Sequence, residues 1–298
     1  MKCWELTVRC RISVSVNPET CHLMPDPFSI LERAMDLGLK GKTALISGST
    51  AGIGLAIART LTAEGAKVVI NGRTEARVNA ALEHLRSAVK GTDASGVVAD
   101  LGTLDGVETF INQAPEADIL INNLGIFEAK PFEEITDADW LRFFEVNVLS
   151  GVRLARYYLA RMRDRNWGRM IFISSESAVN IPVEMIHYGM TKTAQVAVAR
   201  GLAESVAGTG ITVNSILVGP TRSEGVGSFL EQLAQQQCVT TAQVEKEFFE
   251  KVRPSSLLKR FETPEEVAAV VAFVASQQAA IINGAAIRAE GGVVRSAL

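Results

Sequence analysis

The sequence is poor in the residues that staple, ligate or insert. Its four cysteines (Cys3, Cys10, Cys21 and Cys238) make neither a CxxC pair nor a disulfide grid, which fits a reducing, cytoplasmic compartment. Three histidines, at 22, 84 and 187, are too scattered for a metal centre, and no metal is expected. No run approaches the roughly 18 apolar residues of a membrane span, so no membrane partner is expected. A net charge of −3, without a basic tail or stripe, argues against a nucleic-acid partner. What the 298 residues do carry is 47% hydrophobic side chain, enough for a large buried core.

Residues 1–34 stand apart, with three of the four cysteines and no sustained helical period. They read as a disordered or non-native extension, leaving 36–298 as a single domain. From Lys42 onward, short apolar runs alternate with amphipathic stretches. TALISG (43–48), KVVIN (67–71), GVVAD (96–100), DILINN (118–123), RMIFIS (169–174), ITVNSIL (211–217) and AIRAE (286–290) read as strands. Strands alternating with helices predict an α/β fold: a Rossmann-type, doubly wound sheet of about seven parallel strands. The longest helical stretch runs from about Asp137 to Arg165.

After the first strand comes GSTAGIG, with Gly48, Ser49, Gly52, Ile53 and Gly54, and then a helix. Glycines there permit a tight turn and let the main chain approach a pyrophosphate, while the helix N-terminus offers free N–H groups. The second strand ends in Asn71-Gly72 and Arg73, with no carboxylate to hold a ribose 2′-hydroxyl. An arginine can instead pair with a 2′-phosphate, so NADP(H) is favoured and NAD(H) is the alternative.

With these motifs the chain resembles the short-chain dehydrogenase/reductase family over residues 36–298, including its 3-oxoacyl-carrier-protein reductases. The glycine turn looks like TGxxxGxG with Ser47 in the threonine place, and INNLG (121–125) resembles NNAG, with Leu124 for alanine. Ser175, Tyr188 and Lys192 fall at the family's Ser-(12 residues)-Tyr-xxx-Lys spacing, and Asn147 matches its asparagine. VNSILVGPTRS resembles the segment flanking the nicotinamide, with Val218 where proline is usual, and NGAAIRAEGG the closing strand. The resemblance implies further cofactor contacts at Asp100, Leu101, Asn123, Gly125, Gly219 and Thr221. It also implies a homodimer or homotetramer.

Such a chain is expected to interconvert a carbonyl and a secondary alcohol. A tyrosine near pKa 10 is a poor proton exchanger, and a neighbouring ammonium and a charged nicotinamide both favour its phenolate. Tyr188 is thus the expected acid/base. The resemblance assigns Lys192 to lowering its pKa, Ser175 to the substrate oxygen and Asn147 to a relay water. Residues 220–256 read as a substrate lid whose apolar residues, among them Val226, Phe229, Leu230, Leu233, Phe248, Phe249 and Val252, suit an apolar or acyl-thioester substrate. Glu176, Ile181, Met185 and Phe229 are the substrate-side candidates. A Ser175–His187 hydrolase is disfavoured, because no GxSxG elbow exists and His187 points away from its neighbour Tyr188. A non-catalytic cofactor sensor would have little need for Ser175, Tyr188 and Lys192 together.

Overall fold

A computed structural model describes residues 35–297, so the proposed extension at 1–34 lies outside the described residues. From Leu37 onward the chain forms one unit. Its seven strands are β1 (Thr43–Ile46), β2 (Lys67–Gly72), β3 (Ala94–Val98), β4 (Ile119–Asn122), β5 (Gly168–Ser175), β6 (Ile211–Val218) and β7 (Ala286–Ala289). All pair in parallel, in the order β3-β2-β1-β4-β5-β6-β7. The chain winds outward from β1 through β2 to β3, then crosses back and winds outward from β4 to β7. The reversal lies between β1 and β4, where an open parallel sheet leaves a crevice at its strand C-termini.

Alternation along β1 divides the core. Ala44 and Ile46 face a layer formed by α1 (Gly52–Ala63), α2 (Glu75–Ala88) and α9 (Pro264–Ala275). Leu45 faces the other layer, with α3 (Leu104–Gln113), α5 (Ser150–Asp164) and α6 (Ile186–Ser205). Burial on both faces explains why the inner strands read as continuous apolar runs, whereas the edge strands β3 and β7 stay partly exposed.

The expected long helix is α4 (Asp137–Phe144) continued into α5 through a π turn at Glu145–Leu149. Thr136 and Asp139 start it with a reciprocal capping box. The 220–256 segment holds α7 (Glu224–Gln236), α8 (Thr241–Glu247) and a second π turn at Phe248–Val252. Among the described residues no helix is long and apolar enough to cross a membrane.

Candidate active site

The crevice is laced shut from below by one hydroxyl. Ser47 Oγ accepts the N–H groups of Asn123 (2.9 Å) and Leu124 (3.0 Å), joining the ends of β1 and β4. The Asn123 amide donates to the carbonyls of Ser47 (3.0 Å) and Gly48 (2.9 Å). Gly48 and Gly52 take positive φ angles of 60° and 53°, in the left-handed region. Leu124 lies against Gly48 with both its main chain and its side chain, which also packs on the core.

Helices α3, α4, α7, α8 and α9 each start with a Thr or Ser side chain accepting a main-chain N–H. At α1 the equivalent residue is Ala51, with no acceptor and no acidic side chain in the first turn. The N–H donors around Gly52 and Ile53 are therefore left for an anion, and this glycine cradle fits a dinucleotide's phosphates.

Ser49 is fully buried and shapes this turn rather than lining the cleft. Its Oγ donates to Ile46 O (2.7 Å) and accepts from Asn71 N (2.9 Å). Asn71, in place of a carboxylate at the end of β2, donates to Val97 O and Ala99 O and accepts from Gly48 N. Leu101 is likewise buried in the core. Asp100 stands exposed after β3, and Arg73 is exposed after β2 with no hydrogen bond or ion pair among the described residues.

Across the crevice, Ser175 ends β5 while Tyr188 and Lys192 stand one turn apart on α6. Ser175 Oγ accepts from Ser177 N (3.1 Å) and lies 3.4 Å from Glu176 Oε2. Its hydroxyl favours the phenolate form of Tyr188. Ser174 is excluded from the cleft, since its hydroxyl donates to Lys192 O (2.9 Å) inside the fold. Lys192 Nζ donates to Ile173 O (2.9 Å) and to Gln195 Oε1 (3.2 Å). Asn147 sits in the π turn, accepting from Ile126 N (2.7 Å) and donating to Ile126 O and Thr191 Oγ1 (both 3.0 Å). Its carbonyl receives Gln195 Nε2 at 2.6 Å. Gly125 is bare main chain beside both groups: a methyl on it would lie 3.5 Å from Lys192 Nζ.

The expected lowering of the Tyr188 pKa is not what the protein alone produces. Burial pushes the phenol up to about 12 and Glu176 adds to this, while Ser175 and Arg253 oppose it. The Lys192 ammonium is spent on Ile173 and Gln195, with Nζ 5.5 Å from the tyrosine ring centre, and burial lowers it to about 8. His187 is wholly buried against Phe143, with both ring nitrogens unpartnered, and burial holds it neutral. That excludes it from acid/base work at the cleft.

On the substrate side, Glu176 is buried and forms an ion pair with buried Arg253 (2.7 Å). Glu184 lies 3.7 Å from the same guanidinium. Ile181 is 47% exposed, and Met185 is half-buried just before α6. The side chain of Phe229 lies outside the described part of α7. Most of the described apolar residues of 220–256 turn inward, although Val252 is 45% exposed. Leu230 and Phe249 are buried with Ala234, Val244 and Phe261 in a core of their own, and Val226, Leu233 and Phe248 pack on it. An amphipathic segment this long spends its apolar face on internal packing, a choice its sequence does not reveal.

The segment is joined to the body at Gly219 and Thr221. Gly219 N donates to Ala289 O (3.1 Å), and Thr221 Oγ1 donates to Gly219 O (3.0 Å). Val218, where proline is usual, completes β6 in register with Ser175 and Ala289. Glu262 packs against Gly219, with Oε2 buried and unpartnered. Burial raises its pKa to about 7, above the ordinary 4.5, and the Gly219 N–H only partly opposes this. A raised carboxyl adds no penalty below pH 4.5 and costs stability as pH rises through 7, here by about 3 kcal/mol at most. Glu262→Gln is therefore expected to raise Tm by several degrees at pH 8 but not at pH 4, measured by calorimetry. An equal shift at both pH values would refute the titration.

A parallel sheet with an anion cradle at its reversal and a Ser–Tyr–Lys set opposite defines a nucleotide-dependent oxidoreductase. The chain belongs to the short chain dehydrogenase family, whose model matches residues 42–234. It is 47% identical to an uncharacterized oxidoreductase, YvaG, of Bacillus subtilis (strain 168), over 88% of this chain and 99% of that one. It is 31% identical to the 3-oxoacyl-acyl-carrier-protein reductase of Aquifex aeolicus (strain VF5), over 87% of this chain and 100% of the other. Among solved structures, L-sorbose reductase from Gluconobacter frateurii, complexed with NADPH and L-sorbose, superposes with a TM-score of 0.83. The identity there is 31%, covering 88% of this chain and 100% of the reductase. The chain is thus an oxidoreductase acting on alcohol or carbonyl groups.

Proposed function

We propose that this enzyme reduces a small, polar ketone with NADPH, using Tyr188 as the proton donor. The free guanidinium of Arg73 beyond a strand end without a carboxylate carries the cofactor preference. Gly48, Gly52, Ile53 and Gly54 would hold the phosphates, Asp100 the adenine, and Asn123, Gly125, Gly219 and Thr221 would frame the nicotinamide. Bound, the cofactor supplies hydride in reduction and, once oxidised, a positive charge beside the site. Tyr188 Oη gives its proton to the substrate oxygen, and Ser175 Oγ donates a hydrogen bond to the same atom. Lys192 holds positive charge beneath the tyrosine, and Asn147 anchors the floor through Ile126 and Thr191. Tyr188 is protonated at neutral pH, which suits an acid in reduction.

The polar substrate is supported by the Glu176–Arg253 pair beside Ser175 and by the similarity to a reductase solved with L-sorbose. The similarity to a 3-oxoacyl reductase favours a second reading, a 3-oxoacyl thioester. Following NADPH oxidation with L-sorbose and with acetoacetyl-coenzyme A separates the two. Turnover of only the thioester would remove the polar reading. For the cofactor, Arg73→Glu is expected to lower kcat/KM for NADPH about 100-fold and to leave NADH within a few-fold. An unchanged NADPH:NADH ratio would remove Arg73 from the site.

A further inference from the structure

Gln195 was not a candidate from its sequence, where it is one polar residue in a long helix. It lies seven positions after Tyr188 and three after Lys192, so all three share one face of α6. It is 2% exposed, and its amide is used at both ends. Oε1 accepts from Lys192 Nζ at 3.2 Å, and Nε2 donates to the Asn147 carbonyl at 2.6 Å. The orientation is set by its neighbours, because an ammonium can only donate and a carbonyl can only accept. A leucine of similar size would leave the carbonyl without this donor and the ammonium with Ile173 O alone.

We infer that Gln195 is a positioning residue that holds Lys192 charged and in place by tying its ammonium to the main chain of the π turn at Asn147. An amide neither titrates nor shuttles protons at neutral pH, so it acts through position and charge alone. The ionisable groups on elements packed against Lys192 have other partners. Glu176 and Glu184 face Arg253, Glu145 is paired with Arg153, and Asp139 with Lys130. On the same helix Tyr188 and the buried, neutral His187 remain, while Asp137 of α4 is exposed and Arg169 of β5 donates to Ser276 O and Gly210 O. The ammonium's recorded acceptors are thus two neutral oxygens, and Gln195 supplies one of them.

The inference rests on Lys192 having the role proposed above, but its test does not use turnover. In the full chain with 13Cε-labelled lysine, NMR reads the Lys192 titration, with the signal assigned by its loss in Lys192→Met. Gln195→Leu removes an acceptor from the charged form, so the midpoint should fall by about one pH unit. Gln195→Glu places a carboxylate there, and the midpoint should rise by a similar amount. A folded Gln195→Leu with an unmoved midpoint overturns the inference. If that variant fails to fold, an unmoved midpoint in Gln195→Glu does the same. Activity surviving in Lys192→Met would instead overturn the proposed chemistry, leaving the titration result intact.

Discussion

Tyr188→Phe is expected to lower kcat for carbonyl reduction roughly a thousand-fold while leaving NADPH affinity within about two-fold. The substitution removes one oxygen from a half-buried ring whose edge contact with Phe127 is unaffected. Fold and cradle should survive, and only the proton donor is lost. Stopped-flow reduction and fluorescence titration of NADPH measure the two separately. The intact enzyme should show a matching pH dependence. With the phenol at about 12 and Lys192 at about 8, reduction should hold steady below pH 8 and decline above it. That sign follows from Lys192 losing its charge on the alkaline side while Tyr188 keeps its proton. Residual turnover near the native rate in Tyr188→Phe would end the acid/base assignment.

Gly54→Ala should act instead on binding. A methyl at this position would lie 2.5 Å from Gly48 O, 2.6 Å from Asn123 Nδ2 and 2.8 Å from Ser49 Cα. None of these is the loose end of a flexible side chain. The Asn123 amide is held by two hydrogen bonds, and Ser49 is locked between β1 and β2. The helix start must therefore separate from the turn, or Asn123 must let go. Overpacking and two lost hydrogen bonds together amount to about 3 kcal/mol, or roughly 6–12 °C in Tm. NADPH affinity should fall at least about 100-fold, because the displaced N–H groups no longer converge. Gly225, inside α7 with nothing within 4 Å, is the control: its change to alanine should be neutral or slightly stabilising. Tight NADPH binding by Gly54→Ala would show that the turn is not the phosphate site.

What could be read in the sequence was whatever repeats or keeps a fixed spacing. The five inner strands showed themselves because burial on both faces leaves uninterrupted apolar runs such as RMIFIS and ITVNSIL, while the half-exposed edge strands β3 and β7 were read from their place in the alternation. Tyr188 and Lys192 share a helix face by counting alone, and Ser175 took its place from the family spacing. Pairings between distant segments were not legible. Arg253 reaches back 77 residues to Glu176, and Gln195 reaches 48 to Asn147. Phe261, beyond the segment expected to form a lid, closes that segment's own core. The rise in the Tyr188 pKa was equally hidden, since it depends on how much surrounding protein excludes water and on which oxygens take the nearby ammonium.

The π turn between α4 and α5 makes helix length itself a determinant of chemistry. One extra residue in that turn sets every later side chain back by about 100° relative to an unbroken α-helix. Deleting any one of residues 145, 146, 148 or 149 would leave two well-formed helices. It would nevertheless rotate either α5 off the sheet or Asn147 away from Gln195 and Thr191. A one-residue deletion, silent in composition and in secondary-structure content, is thus a route by which a relative could keep this fold and lose its reaction.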